Sequence, residues 1–476
     1  MSLRCDVWPL WLLGAMLVWF APVLALAVEP PPNLIVVLAD DLGRGEVGCY
    51  GQTKIRTPSM DRMAVEGMRF TRAYAGNAVC APSRCVLLTG KHAGRAAIRA
   101  NWEVQPEGQH PLPAAEVTLA ELLKTRGYAT GFVGKWGLGP VGSQGDPLAQ
   151  GFDFFYGYNC QRHAHNHYVD FLYRNTQREP IPANRDGAEK VHSHDLMTKE
   201  ALEWVRAHRE GPFFLELAYA IPHLPLQVPE DSLAEYQGAF AELPYDGSKG
   251  YRAHPTPRAA YAAMVSRLDR DLGRLLDLIQ ELGIEHRTIV LFTSDNGPTF
   301  DLGGADTAFF EGARGLRGHK GLLYEGGIAT PLIAWAPGRI KPGTTSDLLC
   351  AFDDLLPTLC DFAGVPAAVW PADLTGVSIR PTLEGRCDAQ TRRSECYWEL
   401  AQGVRQQAIQ TSDRLKLVVT HGGLNQPFNP PHVELFDLAT DPAETRNLAA
   451  ERPDDVARLQ RRIEAIRVPP EVVPMP

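Results

Sequence analysis

Hydrophobic positions along the chain follow two recurring patterns. Short, unbroken apolar runs rich in β-branched residues occupy residues 33–39, 128–133, 213–218, 288–293 and 331–336. Runs of that length and composition read as strands buried on both faces. Between them, residues 59–66, 116–126, 196–207 and 259–281 carry apolar residues at helical spacing. In the last segment Met264, Leu268, Leu272, Leu275, Leu276 and Ile279 mark one face. Strand–helix alternation predicts an α/β fold, with a mostly parallel sheet flanked by helices on both faces. Further short strands near residues 396–398, 415–419 and 433–436 predict a smaller C-terminal α+β subdomain.

The N-terminus has a different pattern. Arg4 precedes an apolar run over residues 7–26, broken only by Pro9, Gly14 and Pro22. Ala25-Leu26-Ala27 then supplies small residues two apart, and the polar, Pro-rich Glu29-Pro30-Pro31-Pro32 follows. This is the layout of a secretory signal peptide over residues 1–27, cut near Ala27. The alternative is an uncleaved N-terminal anchor, because the run approaches membrane-spanning length. No other stretch does, so no stable membrane association is expected after cleavage.

Composition narrows the field further. A chain of 476 residues, 45% hydrophobic, is long enough for a large domain and a smaller second unit. Its 47 Lys and Arg against 56 Asp and Glu give a net charge of −9, without the basic footprint of a nucleic-acid binder. Nine cysteines lack the paired spacing of a zinc site. Export permits disulfides, and Cys387 with Cys396 is a candidate pair.

Polar residues gather where the strands end. The run over 33–39 leads into Asp40-Asp41, the second into Gly134-Lys135-Trp136-Gly137, the third toward Pro222-His223, and the fourth into Ser294-Asp295-Asn296-Gly297. In open α/β sheets, sites form outside the carboxyl ends of strands. Asp40, Asp41, Asp295 and Asn296 would form an all-oxygen cluster with three negative charges. Carboxylates so placed require a cation or raised pKa values, and hard oxygen ligands favour Ca2+ or Mg2+. Asx turns at each strand end are the alternative.

The most specific motif is Cys80-Ala81-Pro82-Ser83-Arg84, continuing to Leu87-Leu88-Thr89-Gly90. It resembles the signature C-x-P-S-R-x-x-L-x-T-G of type I, formylglycine-dependent sulfatases (arylsulfatase-like). The resemblance takes in Ala39-Asp40-Asp41-Leu42-Gly43, Gly134-Lys135-Trp136, Pro222-His223, Ser294-Asp295-Asn296-Gly297, Arg317-Gly318-His319-Lys320-Gly321 and Glu325-Gly326-Gly327. Near the C-terminus it adds Glu434-Leu435-Phe436-Asp437-Leu438, Asp441-Pro442 and Asn447-Leu448.

The resemblance implies an alkaline-phosphatase-like fold with a catalytic domain over 28–375 and a C-terminal subdomain over 376–476. It also implies hydrolysis of sulfate monoesters, with Cys80 converted to formylglycine (3-oxoalanine) by a formylglycine-generating or sulfatase-maturing enzyme. The implied calcium ligands are Asp40, Asp41, the residue formed from Cys80, Asp295 and Asn296. One hydroxyl of the hydrated aldehyde would attack sulfur, and the other would let the covalent sulfate leave by collapse to the aldehyde. Arg84 would steady the formylglycine, Lys135 and Lys320 would grip sulfate oxygens, and His223 would protonate the leaving oxygen. Cys85, outside the motif position, is expected to be structural. Sulfated small molecules or glycans are the expected substrates, since export to periplasm, extracellular space or secretory lumen brings the chain to them.

Two departures stand out. Many sulfatases carry G-K-W-H-L-G, whose His contacts the formylglycine, whereas here Gly137 occupies that position. The segment Gln161-Arg162-His163-Ala164-His165-Asn166-His167-Tyr168 resembles the Q-x-x-A-H-x-x-Y stretch of a sulfatase subgroup, and His165 is the expected substitute. Substrate contacts, a surface His-x-His-x-His metal site, or solvated loop histidines are the other readings. Glu46, where the family often has Asp, is expected to contribute little. Two further functions remain open here: a phosphonate or phosphate ester hydrolase on the same scaffold, and a catalytically weak sulfated-glycan-binding protein.

Overall fold

The computed structural model describes residues 31–423 and 426–469; the expected signal peptide and Cys5 lie outside them. Ten strands form the main sheet: β1 (Asn33–Ala39), β2 (Met68–Phe70), β4 (Ala129–Lys135), β5 (Phe154–Tyr158), β6 (Phe171–Arg174), β7 (Gln177–Pro180), β8 (Phe213–Ala218), β9 (Thr288–Ser294), β10 (Leu332–Trp335) and β11 (Thr344–Ser346). A short parallel pair, β3 (Ala73–Tyr74) and β12 (Cys350–Ala351), stands beside it. The order is β11-β2-β10-β9-β1-β8-β4-β5-β6-β7.

The centre of the sheet, β9-β1-β8-β4-β5, is parallel as expected. The flanks are mixed: β10 runs antiparallel to β9 and β2, and β5, β6 and β7 form an antiparallel meander. Most of these flanking strands are four residues or shorter, too brief for hydrophobic alternation to declare itself.

Side chains of β1 alternate between two cores. Ile35, Val37 and Ala39 face helices α1 (Pro58–Glu66), α4 (Ser193–His208) and α5 (Pro257–Glu281). Leu34, Val36 and Leu38 face α2 (Cys80–Thr89), α3 (Leu119–Lys124) and α6 (Leu355–Phe362). Each central strand is therefore covered on both sides, which is why its middle is apolar on both faces, with polar residues mostly near its ends.

Glu216 interrupts that pattern. It lies fully buried on β8, opposite Val36 and Phe132, with neither carboxyl oxygen hydrogen-bonded. Burial pushes its pKa up to about 8, with only the positive charge of Arg84 opposing. Its folded pKa lies above the ordinary 4.5, so the stability it contributes is complete below that value and is lost as pH rises toward 8. Glu216→Gln is therefore expected to match the wild type near pH 4.5 and to exceed it by about 4 kcal/mol at pH 8, in urea unfolding at both pH values.

The C-terminal sheet is antiparallel: β13 (Glu395–Gln402), β14 (Val404–Thr411), β15 (Leu415–Gly423) and β16 (Gln426–Asp437), in that order. β14 was not foreshadowed in the hydrophobic pattern. Gln406, Gln407 and Gln410 occupy it, buried and hydrogen-bonded to neighbouring strands and segments. One face of the sheet, with Trp398, Leu400, Ala408, Val418 and Phe436, packs on Tyr74, Ala78, Val79, Leu323 and Ile328. The other, with Tyr397, Ile409, Leu417 and Leu435, packs under Leu459, Ile463 and Ile466 of α7 (Pro453–Ile466). All eight described cysteines are free thiols. The suggested Cys387–Cys396 bridge is absent: Cys396 points into the sheet core while Cys387 is exposed.

Candidate active site

The parallel register brings the expected strand ends to one edge. Ala39 pairs with Ser294, while Leu38 and Gly134 both pair with Ala218. Asp40-Asp41, Asp295-Asn296, Lys135 and the loop to His223 consequently emerge side by side. Gly134 is required where it stands, since φ is +126° and a Cβ would overlap the carbonyl of Ala218. Cys80 opens α2 after extended Val79, and Arg84 follows one turn later on the same helix.

Three buried carboxylates and three cations interlock. Lys135 Nζ lies 2.6 Å from Asp40 Oδ2 and 3.7 Å from Cys80 Sγ. Arg84 donates to Asp295 Oδ2 at 2.7 and 3.2 Å, and its guanidinium also lies 3.3 Å from Asp40. A further Arg84 bond, at 2.5 Å, goes to the carbonyl of Lys135. Lys320 Nζ lies 2.8 Å from Asp41. The sequence pattern points to a bound cation or raised pKa values; it does not show that the chain supplies three positive charges of its own at this floor.

The electrostatics follow. Burial acts to raise the Asp40 pKa, but Lys135, His223, Arg84 and Lys320 together hold it well below the usual carboxylate range. Burial, reinforced by the charge on Asp40, pushes Asp295 up to about 6. The same two influences raise Asp41 despite Lys320. The Cys80 thiol is pushed up to about 12 by burial and by Asp40. With no cation bound it is therefore protonated at neutral pH, the form that is a poor nucleophile.

The donor set fits a hard divalent cation. Asn296 Nδ2 donates to Asp41 Oδ1 at 2.8 Å, while Asn296 Oδ1 is buried with no partner. An orphaned amide oxygen between carboxylates is an open ligand position. Ligand atoms of Asp40, Asp41, Cys80 and His223 lie within 4.8 Å of one another. His223 was not among the expected metal ligands.

A cavity of about 260 Å3 opens above this floor, lined by Asp41, Cys80, His165, His223 and Lys320 among others. His223 Nδ1 donates to the carbonyl of Leu224 at 2.7 Å, leaving Nε2 toward Asp41 Oδ2 at 3.7 Å. His165 stacks on His223, with ring centroids 4.8 Å apart and planes 15° from parallel. Burial, Lys135 and Lys320 lower its pKa to about 3. The histidine triplet does not converge on one ion. His163 stacks on Phe171, and His167 Nε2 meets the carbonyl of His223 at 2.9 Å. The side chain seated over Gly137 is that of Gln161, not His165: a Cβ there would overlap Gln161 Nε2.

Several neighbours were not singled out from sequence. Tyr251, Asn101 and Gln402 also line the cavity, Gln402 coming from the C-terminal sheet. Glu46 is fully buried, accepting from the Gly43 amide at 2.6 Å and Tyr261 Oη at 2.8 Å, and is pushed up to about 8 by burial. It pins the turn that follows Asp41, so the expectation that it contributes little is corrected.

The C-terminal sheet fastens the segment carrying Lys320. Arg317 pairs with Glu434 at 3.0 Å and lies 3.8 Å over the Tyr324 ring. Buried Lys416 bridges Glu325 and Glu444 at 2.9 Å each. Removing the cation from such a triad strands two carboxylates in the interior. Lys416→Met is expected to lower unfolding stability by about 3 kcal/mol, with a parallel loss of activity. Denaturant titration and sulfate release together check this.

Comparison with known proteins agrees with the geometry. A family model described as Sulfatase matches residues 32–365, and one described as N-sulphoglucosamine sulphohydrolase, C-terminal, matches residues 316–468. The chain is 33% identical to human arylsulfatase A, covering 89% of this chain and 84% of that protein. It is 34% identical to mouse N-acetylgalactosamine-6-sulfatase, covering 76% and 68%. Among solved structures, Ps i-CgsB in complex with k-i-k-neocarrahexaose matches with TM-score 0.76 at 23% identity, over 94% of this chain and 95% of that one. The phosphonate monoester hydrolase of Agrobacterium radiobacter shares the fold, with TM-score 0.63 at 22% identity, over 91% and 95%. With both its catalytic floor and its C-terminal sheet inside matched models, and relatives at a third identity along most of its length, the chain belongs to the sulfatase family and is a sulfuric ester hydrolase.

Proposed function

We propose that the protein is an exported, calcium-dependent sulfatase that removes sulfate from carbohydrate esters, using formylglycine made from Cys80. The observation that carries this reading is the setting of Cys80: a buried, protonated thiol at a helix start, 3.6 Å from Asp40 and 3.7 Å from Lys135. As an aldehyde precursor it stands at the centre of the charged floor, between Asp40 and Lys135. The hydrated formylglycine supplies an oxygen nucleophile, and bound calcium supplies the positive charge that offsets the sulfate oxygens.

The chain's own residues divide the remaining work. Asp40, Asp41, Asp295 and Asn296 would hold the ion, and Arg84 fixes Asp295 and Asp40 from beneath. Lys135 and Lys320 bind sulfate oxygens, each already facing Cys80 or the cavity. His223 Nδ1 is committed to a carbonyl, so Nε2 is the atom that holds or gives the proton at the leaving oxygen. His165 stacks against that ring and keeps it in place.

The test is the mass of the tryptic peptide 73–84 from protein exported by its native host. An aldehyde in place of the thiol is the expected result, together with loss of sulfate release and a lower melting temperature on calcium chelation. An unmodified thiol would overturn the reading in favour of a sulfated-glycan binder. Faster turnover of phosphonate than of sulfate esters would overturn it in favour of a phosphonate hydrolase.

A further inference from the structure

The cavity over Cys80 is charged where it meets Lys320 and Asp41, but much of the rest of its lining is neutral carboxamide: Asn101, Gln109, Gln161 and Gln402. Two of these are already committed. Asn101 Oδ1 accepts from the Ala81 amide, and Gln402 Oε1 accepts from the Asn101 amide. The other two are not. Gln109 Oε1 accepts from the Gln161 backbone amide at 2.8 Å, yet Gln109 Nε2 has no partner. Neither Nε2 nor Oε1 of Gln161 has one either. Both side chains are more than nine-tenths buried, at 1% and 5% exposure. Three unpaired polar atoms on two contacting residues in one cavity are costly, and are expected where a ligand or bound water supplies the partners.

Gly137 explains how Gln161 comes to be there. With φ at +81°, and with a Cβ that would overlap Gln161 Nε2, position 137 accepts only glycine while Gln161 holds its place. The glycine is thus the seat of the glutamine. An amide that offers a donor and an acceptor side by side matches a hydroxyl, which both donates and accepts. A sulfate, which only accepts, would satisfy the amide nitrogens but leave Gln161 Oε1 unpaired, and a bare aryl ring would satisfy neither.

We infer that Gln161, seated on Gly137 and steered by Gln109, is a specificity-determining residue that binds a hydroxyl of the alcohol half of the substrate. A polyhydroxylated sulfate ester is thereby selected over a plain aryl sulfate. Gln109 acts as a positioning residue through its bond to the Gln161 backbone. The inference rests on the sulfatase reading of the same cavity.

Matured, full-length enzyme would be assayed on para-nitrophenyl sulfate and on N-acetylgalactosamine, N-acetylglucosamine and galactose monosulfates, beside Gln161→Ala and Gln109→Met. The wild type is expected to favour one of the sugar sulfates. Each variant is expected to lower kcat/KM on that sugar by about 10- to 100-fold, with the aryl sulfate nearly unchanged. An equal loss on both substrates would mark a structural role and overturn the assignment. So would no loss on either, or a wild type that cleaves the aryl ester but none of the sugars. Failure of the matured wild type to release sulfate from any of them would instead overturn the sulfatase reading itself.

Discussion

Cys80→Ala is expected to lower kcat for sulfate release by about 10^4-fold or more, the scale seen when a covalent nucleophile is deleted. The fold should survive. Alanine is at ease in the first turn of α2, and the ion pairs of Arg84, Lys135 and Lys320 do not pass through the sulfur. Retained circular dichroism with absent sulfate release is the expected pairing. Cys85→Ala supplies the contrast. That thiol is fully buried in the α2 core face, so the change is expected to cost about 1 kcal/mol of stability and to leave kcat in place.

The second large effect is expected from Asp40→Asn. Asp40 is the carboxylate on which Lys135 rests at 2.6 Å and to which the Arg84 guanidinium reaches at 3.3 Å. An amide there leaves those cations with one fewer buried counter-charge and alters a proposed calcium ligand at once. Stability in chelator is expected to fall by about 3 kcal/mol, and sulfate release by about 10^3-fold. Calorimetry separates the two causes. The melting temperature of the wild type should rise with added calcium, whereas that of the variant should respond weakly at the same concentrations.

Why the catalytic edge was legible in sequence, and its wiring was not, follows from what each depends on. Asp40, Lys135, His223 and Asp295 each follow an apolar run, and a parallel sheet carries such residues to one edge whatever the details. The pairing of Arg84 with Asp295, 211 residues away, depends on the exact depth of α2 beneath the strands. So does the charge balance that three cations give the floor. Glu46 looked ordinary because its burial comes from Tyr261 and the 312 region closing over it. The loss of a side chain at Gly137 was plain, but its replacement was sought among groups that transfer protons. The structure fills the space with an amide that cannot. In the C-terminal sheet, β14 stayed hidden because its glutamines are buried by hydrogen bonding rather than by apolarity.

The packing of the C-terminal sheet on the Cys80 segment also sets an order of events during synthesis. Asn77 donates to the carbonyl of Glu399, 322 residues later, and Trp398 donates to the carbonyl of Ala75. The strands that close over this segment, and that fasten the loop bearing Lys320, are translated long after the thiol itself. A chain interrupted before residue 395 would carry every residue of the floor, yet its Cys80 segment would lack that cover. On the formylglycine reading proposed above, that delay is the interval in which an oxidising enzyme would reach the thiol, and completion of the last sheet would end it. Ribosome-bound chains of increasing length would show the thiol's accessibility falling as residues 395–437 emerge.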